Sequence, residues 1–447
     1  MNIIVQKFGG TSTRSRESRS TMYNNIIREI NNGNKVVAVV SAMGRYDDPY
    51  ATDTLLSIVN TQQLTDEEID RLTSIGETIS TLVCKGEVAS LGYRAATITN
   101  SELGIVTDST FNNATINKVE GKDIIEKLKY ADVVFCPGFQ GHSIHGKITT
   151  LGRGGSDLSA VAIGVAIDAS EVEIYSDVNG IYTADPRLVP DALKLDCISY
   201  AEMLELAKNG AKVLNHRCVQ LAASHNIAIH ARSSFEDTKG TYVIGDERIM
   251  KENLNQLIIS GITGSQNEAR ITLVKVDATN NSAGSLFEKI ADAGVNVNVF
   301  NQALVGGGRM DISLVISDVD VPTVVDIIND LKPQLNADRI IVRGNIGKVS
   351  VIGVGIKNNR GMFQKAYNTL SSNGINVEMT SCSEINISCY IDRDDVKKAQ
   401  ILLFYIVYFN IKAPNITLFI HKSDLNTAGS FLSLIHIWRC RRLNRCR

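Results

Sequence analysis

Four short strings in the first half of the chain carry residues suited to handling a phosphate and a small zwitterionic acid. The first is Lys7-Phe8-Gly9-Gly10-Thr11-Ser12, directly after a β-branched run. Adjacent glycines let a backbone approach an anion closely and turn its N–H groups inward. Lys7 brings a full positive charge for oxygens that gain negative charge as a phosphoryl group moves. The string is not a Walker loop, because no Gly-Lys-Ser/Thr closes a longer glycine spacing. Read alone, it is equally well a plain turn from strand to helix.

The second string, Gly152-Arg153-Gly154-Gly155-Ser156-Asp157, stands before an alanine-rich segment. Arg153 has the planar fork that grips a carboxylate with two hydrogen bonds. Asp157 suits either the site or the first turn of a helix, where acids are favoured anyway. The third runs from Tyr175 to Arg187 and contains Asp177, Asn179-Gly180, Tyr182 and Asp185-Pro186. Tyr182 can flank a base, Asp177 can orient a ribose or a phosphate partner, and Arg187 can reach phosphate. Asn-Gly and Asp-Pro are also ordinary turn dipeptides. The fourth is spread over Val40-Ser41-Ala42-Met43-Gly44, Thr52-Asp53 and Gly76-Glu77-Thr78. Hydroxyls from Ser41 and Thr52 with the Glu77 carboxylate would suit an ammonium and two carboxylates, if folding brings them together. Taken singly, Glu77 reads as part of a solvated helix face.

The elements around these strings set where they can lie. Apolar, β-branched runs at Asn2–Phe8, Lys35–Ser41, Asp132–Phe135, Glu171–Tyr175 and Ile227–Arg232 predict strands. Segments with helical spacing alternate with them: Ser15–Asn32, Asp66–Leu91, Ser156–Ala169, and a pair over Tyr200–Ser224 broken near Gly210. In Asp66–Leu91 the apolar stripe is Leu72, Ile75, Ile79, Leu82 and Val83. This rhythm predicts an α/β fold, a mainly parallel sheet sandwiched by helices. Such sheets bind ligands at the carboxyl ends of their strands, where three of the four strings begin.

Beyond a linker expected over residues 236–265, a near-repeat follows. A strand at Arg270–Asp277, a helix at Ser285–Ala293, a turn at Gly294-Val295-Asn296-Val297 and a strand at Met310–Ile316 recur at Val349–Ile356, Gly361–Ser372, Gly374-Ile375-Asn376-Val377 and Ile385–Ile391. Two βαββ units of this size predict paired small α+β modules, at 266–345 and 346–401.

Composition narrows the function further. A net charge of −2 provides no basic field for nucleic acid or an acidic membrane surface. Ile401–Phe409, the longest apolar run, is too short to cross a bilayer. The first residues lack the apolar core of a signal peptide. The eight cysteines include no Cys-x-x-Cys pair and suit a reducing cytoplasm. His142 and His145 sit between glycines as a surface loop, so no metal site is expected.

Together the strings resemble aspartate kinases of the amino-acid kinase family, monofunctional bacterial type. The resemblance rests on Lys-Phe-Gly-Gly-Thr-Ser at 7–12, Val-Ser-Ala-Met-Gly at 40–44, Thr-Asp at 52–53, Gly-Glu-Thr at 76–78 and Thr-Leu-Gly-Arg-Gly-Gly-Ser-Asp at 150–157. The 175–187 string and Gly210-Ala211-Lys212-Val213-Leu214 follow in family order. The later repeat is similar to paired ACT modules, on Ile375-Asn376-Val377-Glu378 and Ser381-Cys382-Ser383-Glu384-Ile385. The resemblance implies a catalytic domain over 1–235 that phosphorylates the L-aspartate side chain from ATP with nucleotide-borne Mg²⁺. It implies Lys7 and Asp157 as catalytic residues, with Gly9 and Gly10 on the phosphoryl group. Ser176, Asp177, Tyr182, Arg187 and Lys212 would bind ATP. Ser41, Thr52, Glu77, Arg153 and Asp157 would bind aspartate. Asp277, Asn298, Ile375, Asn376 and Ser381 would touch an effector amino acid: lysine, threonine or diaminopimelate. A homodimer or larger homo-oligomer through the ACT modules is implied as well.

The chemistry agrees with this inventory. An aspartate side chain is ionised at neutral pH, with a reference pKa of about 4, so attack on phosphorus needs no general base. It needs relief of repulsion between two anions. Two other readings stay open at this stage, a kinase for another amino-acid carboxylate of the acetylglutamate type and a catalytically dead amino-acid sensor.

Three departures stand out. Asn215-His216 replaces the His-Pro that follows Gly-Ala-Lys-Val-Leu in the family, where proline fixes a turn. The first module has Asp277-Ala278-Thr279-Asn280-Asn281-Ser282 in place of Asp-x-Pro-Gly, and Asn301-Gln302 reverses a Gln-Asn pair. Residues 402–447 end in Trp438-Arg439-Cys440-Arg441-Arg442 and read as a cloning or frameshift artefact, with a basic interaction tail as the alternative.

Overall fold

In the computed structural model, residues 2–211, 213–251, 258–278, 282–356, 359 and 361–409 are described. The chain forms two compact units. One runs through Gly261, apart from residues 187–189, and adds 352–355; the other holds the rest.

The first unit is built on an eight-stranded sheet in the order Cys197–Ser199, Thr241–Ile244, Ile229–Ser233, Glu171–Ser176, Ile3–Phe8, Lys35–Val40, Val133–Pro137, Ala95–Thr97. The six strands from Ile229–Ser233 to Ala95–Thr97 are parallel, and Thr241–Ile244 pairs antiparallel to Ile229–Ser233. Side chains alternate across the sheet. Phe8 lies on the face with Met22 and Ile26 of the helix Arg16–Asn31. Val5 lies on the other face, with Leu158, Ala160 and Ile163 of the helix Gly155–Ala166. That helix is buried from Gly155 to Gly164, which explains why its sequence after the first turn is small and largely apolar on every side. A smaller four-stranded sheet of Ile116–Val119, Ile105–Thr107, Gln140–Ser143 and Ile148–Thr150 flanks the first.

The second unit has one six-stranded sheet in the order Val299–Gly306, Arg309–Ser317, Gly261–Asp277, Arg339–Ile352, Asn386–Asp392, Met379–Cys382. Helices Ser282–Asp292 and Val321–Asp330 cover its first half through Leu286, Ile290, Val324 and Ile328. Helices Met362–Ser372 and Val396–Phe409 pack together in the second half. The two long central strands therefore join both modules into one sheet.

Three sequence expectations need correction. The stretch 236–265 is not a bare linker. Thr241–Ile244 extends the main sheet, Asp246–Lys251 is a helix, and the strand to Asp277 begins at Gly261. Gly264, Ser265, Gln266, Asn267 and Glu268 are residues that strands disfavour, so that part of the strand is made by its neighbours rather than by propensity. The apolar segment Ile401–Phe409 is the end of a helix, Val396–Phe409, and residues 410–447 lie outside the described residues.

The third correction concerns the helical segment Asp66–Leu91, which is two helices, Asp66–Thr73 and Ile75–Ser90. Its apolar stripe is not the buried face: Leu72, Ile79 and Val83 are half-buried and two others are exposed. Ile75 and Leu82 are 47% and 60% exposed, while Gly76, Glu77, Ser80, Thr81, Cys84 and Val88 are buried. The helix turns a largely polar face inward because that face makes specific hydrogen bonds, described below. Leu82→Gln should therefore shift the unfolding free energy by less than about 0.5 kcal/mol. Val88→Ala, two turns away on the buried face, should cost roughly 2 kcal/mol in urea denaturation.

Candidate functional site

The parallel register places Lys7 beside Val39 and Ile174, one or two residues before the carboxyl ends of three neighbouring strands. Alternation sends its side chain to the face with Val5, toward the helix Gly155–Ala166. Asp157 in the first turn of that helix meets it: Lys7 Nζ lies 2.6 Å from Asp157 Oδ1, with the side chains 13% and 12% exposed. The pair places one cation, held by a carboxylate, at the end of the sheet.

The residues after the strands close around it. The Ser41 N–H continues the ladder to Phe8 O at 3.0 Å, and the Ser234 N–H bonds Ser176 O at 2.8 Å. Gly10 lies hard against the next loop: its carbonyl accepts from the Gly44 N–H at 2.9 Å, and a Cβ on Gly10 would fall 2.3 Å from Gly44 O. Thr13 Oγ1 donates to Ala42 O at 3.3 Å, and Ser12 and Ser234 share a 2.6 Å hydroxyl contact. Strings far apart in sequence thus form one wall.

Ser41 Oγ donates to Ser156 Oγ at 3.0 Å, joining the 40–44 and 152–157 strings. Ser80 Oγ donates to Ser41 O at 2.8 Å. Glu77, 2% exposed, accepts from the Ala42 N–H through Oε1 at 3.0 Å. Its Oε2 is buried and accepts no hydrogen bond from the described residues. Burial pushes the Glu77 carboxyl up to about 8, against the opposing pull of the Ala42 N–H. A Cβ on Gly76 would lie 2.7 Å from Ala42 Cβ and 2.8 Å from Tyr50 O, so only glycine lets the 50–52 segment lie against this helix. Thr52 begins the helix Thr52–Ser57 there and is half-buried.

The Arg153 side chain is exposed, and its carbonyl accepts from Asn215 Nδ2 at 2.8 Å. Asp177 is exposed just past the strand Glu171–Ser176 and pairs with Arg45 at 3.1 Å. Ser176 Oγ accepts from the Val178 N–H at 3.3 Å.

A model of the amino acid kinase family matches residues 2–233, and an ACT domain model matches residues 349–403. An aspartokinase from Mycolicibacterium smegmatis is 38% identical over 404 residues, 89% of this chain and 94% of that protein. The chain belongs to the aspartokinase family. In fold it is similar to E. coli aspartokinase III in complex with aspartate and ADP, with a TM-score of 0.77 and 22% identity over 91% of this chain and 100% of that one. The same enzyme in complex with lysine and aspartate gives 0.67 and 22% identity, over 91% and 99%.

Within this family member, Lys7, Gly10, Ser41, Glu77 and Asp157 are linked by the contacts above, and Gly9 starts the turn Gly10–Thr13 beside them. Tyr182 is half-buried and bridges to Lys194. Arg187 is exposed and belongs to the second unit, and Lys212 lies outside the described residues. In the second unit Asp277 ends a strand opposite Arg309. Asn298 donates to Glu268 at 2.9 Å, which pairs with Lys348 at 3.3 Å, both nearly buried. Ile375 is a core residue, Asn376 is exposed, and Ser381 pairs with Ser388 across two strands.

Reading residue types alone missed several contributors. Arg45 directly follows the Ser-Ala-Met-Gly string, and its place there was the available signal. Asp70 is buried and accepts from the N–H and hydroxyl of Thr150 at 2.8 and 2.6 Å, fixing the strand that leads into the 152–157 string. Glu171, Glu173 and His230 bring potential metal ligands within 4.8 Å of one another, which no histidine spacing revealed. Arg232 Nη1 already holds Glu173 there at 2.7 Å. Gly10→Ala should displace the 42–44 loop and cost about 1–3 kcal/mol, read as a lowered urea midpoint with an unchanged slope.

Proposed function

We propose that the Lys7–Asp157 end of the sheet is where the chain moves the γ-phosphoryl group of ATP onto the side-chain carboxylate of L-aspartate, giving 4-phospho-L-aspartate. The observation that carries this reading is the shielded Lys7–Asp157 pair beside the Gly9-Gly10 turn, with the Ser41–Ser156 contact and the buried Glu77 on the adjoining strings. Lys7 offsets charge on the transferring oxygens, and Asp157 holds the ammonium in place. A cation aimed at developing charge in a shielded site is worth far more than one in water.

Aspartate is recognised by Ser41, Thr52, Glu77 and Arg153, with Asp157 at their edge. Glu77 supports this assignment because a buried carboxylate with one unused oxygen is a receptor for an ammonium group. Ser176, Asp177 and Tyr182 line the nucleotide side; Arg187 and Lys212 rest on the family resemblance alone. Mg²⁺ arrives on the nucleotide and neutralises phosphate charge when bound. The Asp177 carboxylate suits such a hard cation, since it is exposed and pairs with an exposed arginine.

The domain layout we infer is a catalytic domain followed by two ACT modules that carry feedback control. Asp277, Asn298, Ile375, Asn376 and Ser381 form the effector region in this reading. Lysine is the first effector to test, because the fold neighbour from E. coli was solved with lysine, and threonine and diaminopimelate follow. The edge strand Val299–Gly306 exposes Phe300, Leu304 and Val305, and unpaired edges of this kind invite a second copy, which supports a homodimer or larger assembly. Six free thiols among the described cysteines support a cytoplasmic location.

Two measurements test the site. Lys7→Ala, confirmed folded, should lose roughly 100- to 1,000-fold in kcat with a modest change in ATP affinity, followed by hydroxylamine trapping of the acyl phosphate. Near-normal kcat would remove Lys7 from the reaction. Glu77 is mostly protonated at pH 7 in the free protein, since its pKa lies near 8. An ammonium seated against it lowers that pKa, so aspartate binding at pH 7 should release close to one proton. Calorimetry in buffers of different ionisation enthalpy reads this directly. Release should vanish above pH 9, where Glu77 is already ionised, and in Glu77→Gln. No release at pH 7 would take Glu77 off the ammonium.

A further inference from the structure

We propose that Asn215 is a positioning residue for the aspartate-binding Arg153, tying the Arg153 backbone to the start of the helix His216–His225. The inference rests on the assignment of Arg153 to the aspartate site made above. His216 occupies the first position of that helix, the place where proline is favoured because its φ is already set and its missing N–H is not needed. With no proline, Asn215 starts the helix by its side chain: Oδ1 accepts from the Arg217 N–H at 2.8 Å.

The other end of the same amide does something a capping residue need not do. Asn215 Nδ2 donates to Arg153 O at 2.8 Å. Only one amide orientation serves both partners, since turning it over sets oxygen against carbonyl oxygen and N–H against N–H. The approach is possible because Gly154 has φ +76° and no side chain; a Cβ there would lie 2.3 Å from Asn215 Nδ2.

A second tether runs from the same turn. Arg217 donates to Leu151 O and Ala114 O, each at 2.8 Å, and to Asn113 Oδ1 at 3.1 Å. The carbonyls of residues 151 and 153 are thus both anchored to one helix start, on either side of Gly152 with φ +74°. Two glycines in left-handed geometry give this loop many conformations when free. The tethers select one and leave the exposed Arg153 guanidinium able to reach a ligand. A two-pronged carboxylate grip depends on the angle from which the guanidinium arrives, and that angle is set by the backbone.

Asn215→Asp separates tether from cap. It keeps the size and the oxygen that accepts from Arg217, and it turns the donor into a second acceptor facing Arg153 O. Asn215→Ser keeps a cap but is too short to reach that carbonyl. Both should raise KM for aspartate about tenfold, the effect of losing one hydrogen bond of ordinary strength. Both should leave kcat within about threefold, KM for ATP unchanged and Tm within a few degrees. Arg153→Ala should raise KM for aspartate, and adding Asn215→Asp to it should raise KM no further, because the two act through one contact. Wild-type KM for aspartate in both Asn215 variants, or a fall in Tm without a change in KM, would overturn the tether. So would full additivity with Arg153→Ala. If Arg153→Ala itself leaves KM for aspartate unchanged, the placement of Arg153 in the site fails instead.

Discussion

The contact between Lys7 and Asp157 organises the catalytic unit. A lysine at the end of a parallel sheet would normally extend into water. Here strand alternation directs it onto the same face as the buried helix Gly155–Ala166, and the first turn of that helix supplies a carboxylate at 2.6 Å. Removing either partner would leave a charge in a shielded place, so each holds the other. The helix can lie that close only because its residues are small. The composition of one helix, the register of three strands and the position of one ammonium are therefore one constraint.

Glu77 shows the same logic in the opposite direction. Burying a carboxylate is costly, and its pKa near 8 records that cost. The fold accepts it by giving Oε1 a backbone donor and by turning Ser80 toward the Ser41 carbonyl. The same rotation leaves Ile75 and Leu82 facing out. Local hydrophobicity would have turned the helix the other way. The hydrogen bonds of Glu77 and Ser80 go with the observed orientation, and two apolar side chains stay out of the core.

In the second unit, two strands that run through both modules do the organising. Glu268 and Lys348, neighbours on those strands, form a nearly buried ion pair, with Asn298 attached to Glu268. A pair of this kind is sensitive to geometry, because its attraction must offset desolvation of both ions. The two modules share one sheet, so this pair lies where their strands meet.

The strands Ile3–Phe8, Lys35–Val40 and Glu171–Ser176 and the helix Gly155–Ala166 were legible in sequence because each is a continuous, mostly apolar run, β-branched in the strands and alanine-rich in the helix. The motif strings were legible for a related reason: glycines beside Lys7 and Arg153 have few purposes, and their order matches one family. What sequence could not decide was facing and pairing. The choice of Glu77 over Ile75 and Leu82 as the inward face, the partnership of Asp177 with Arg45, and the strand built from Gly264, Ser265, Gln266 and Asn267 all depend on groups distant along the chain. So does the double use of the Asn215 amide, which starts a helix that has no proline at His216 and also holds the Arg153 carbonyl. Local pattern specifies elements, since backbone geometry repeats every two or 3.6 residues. Only packing decides which face of an element is buried and which polar atoms find partners, because those energies belong to pairs of residues brought together by the fold.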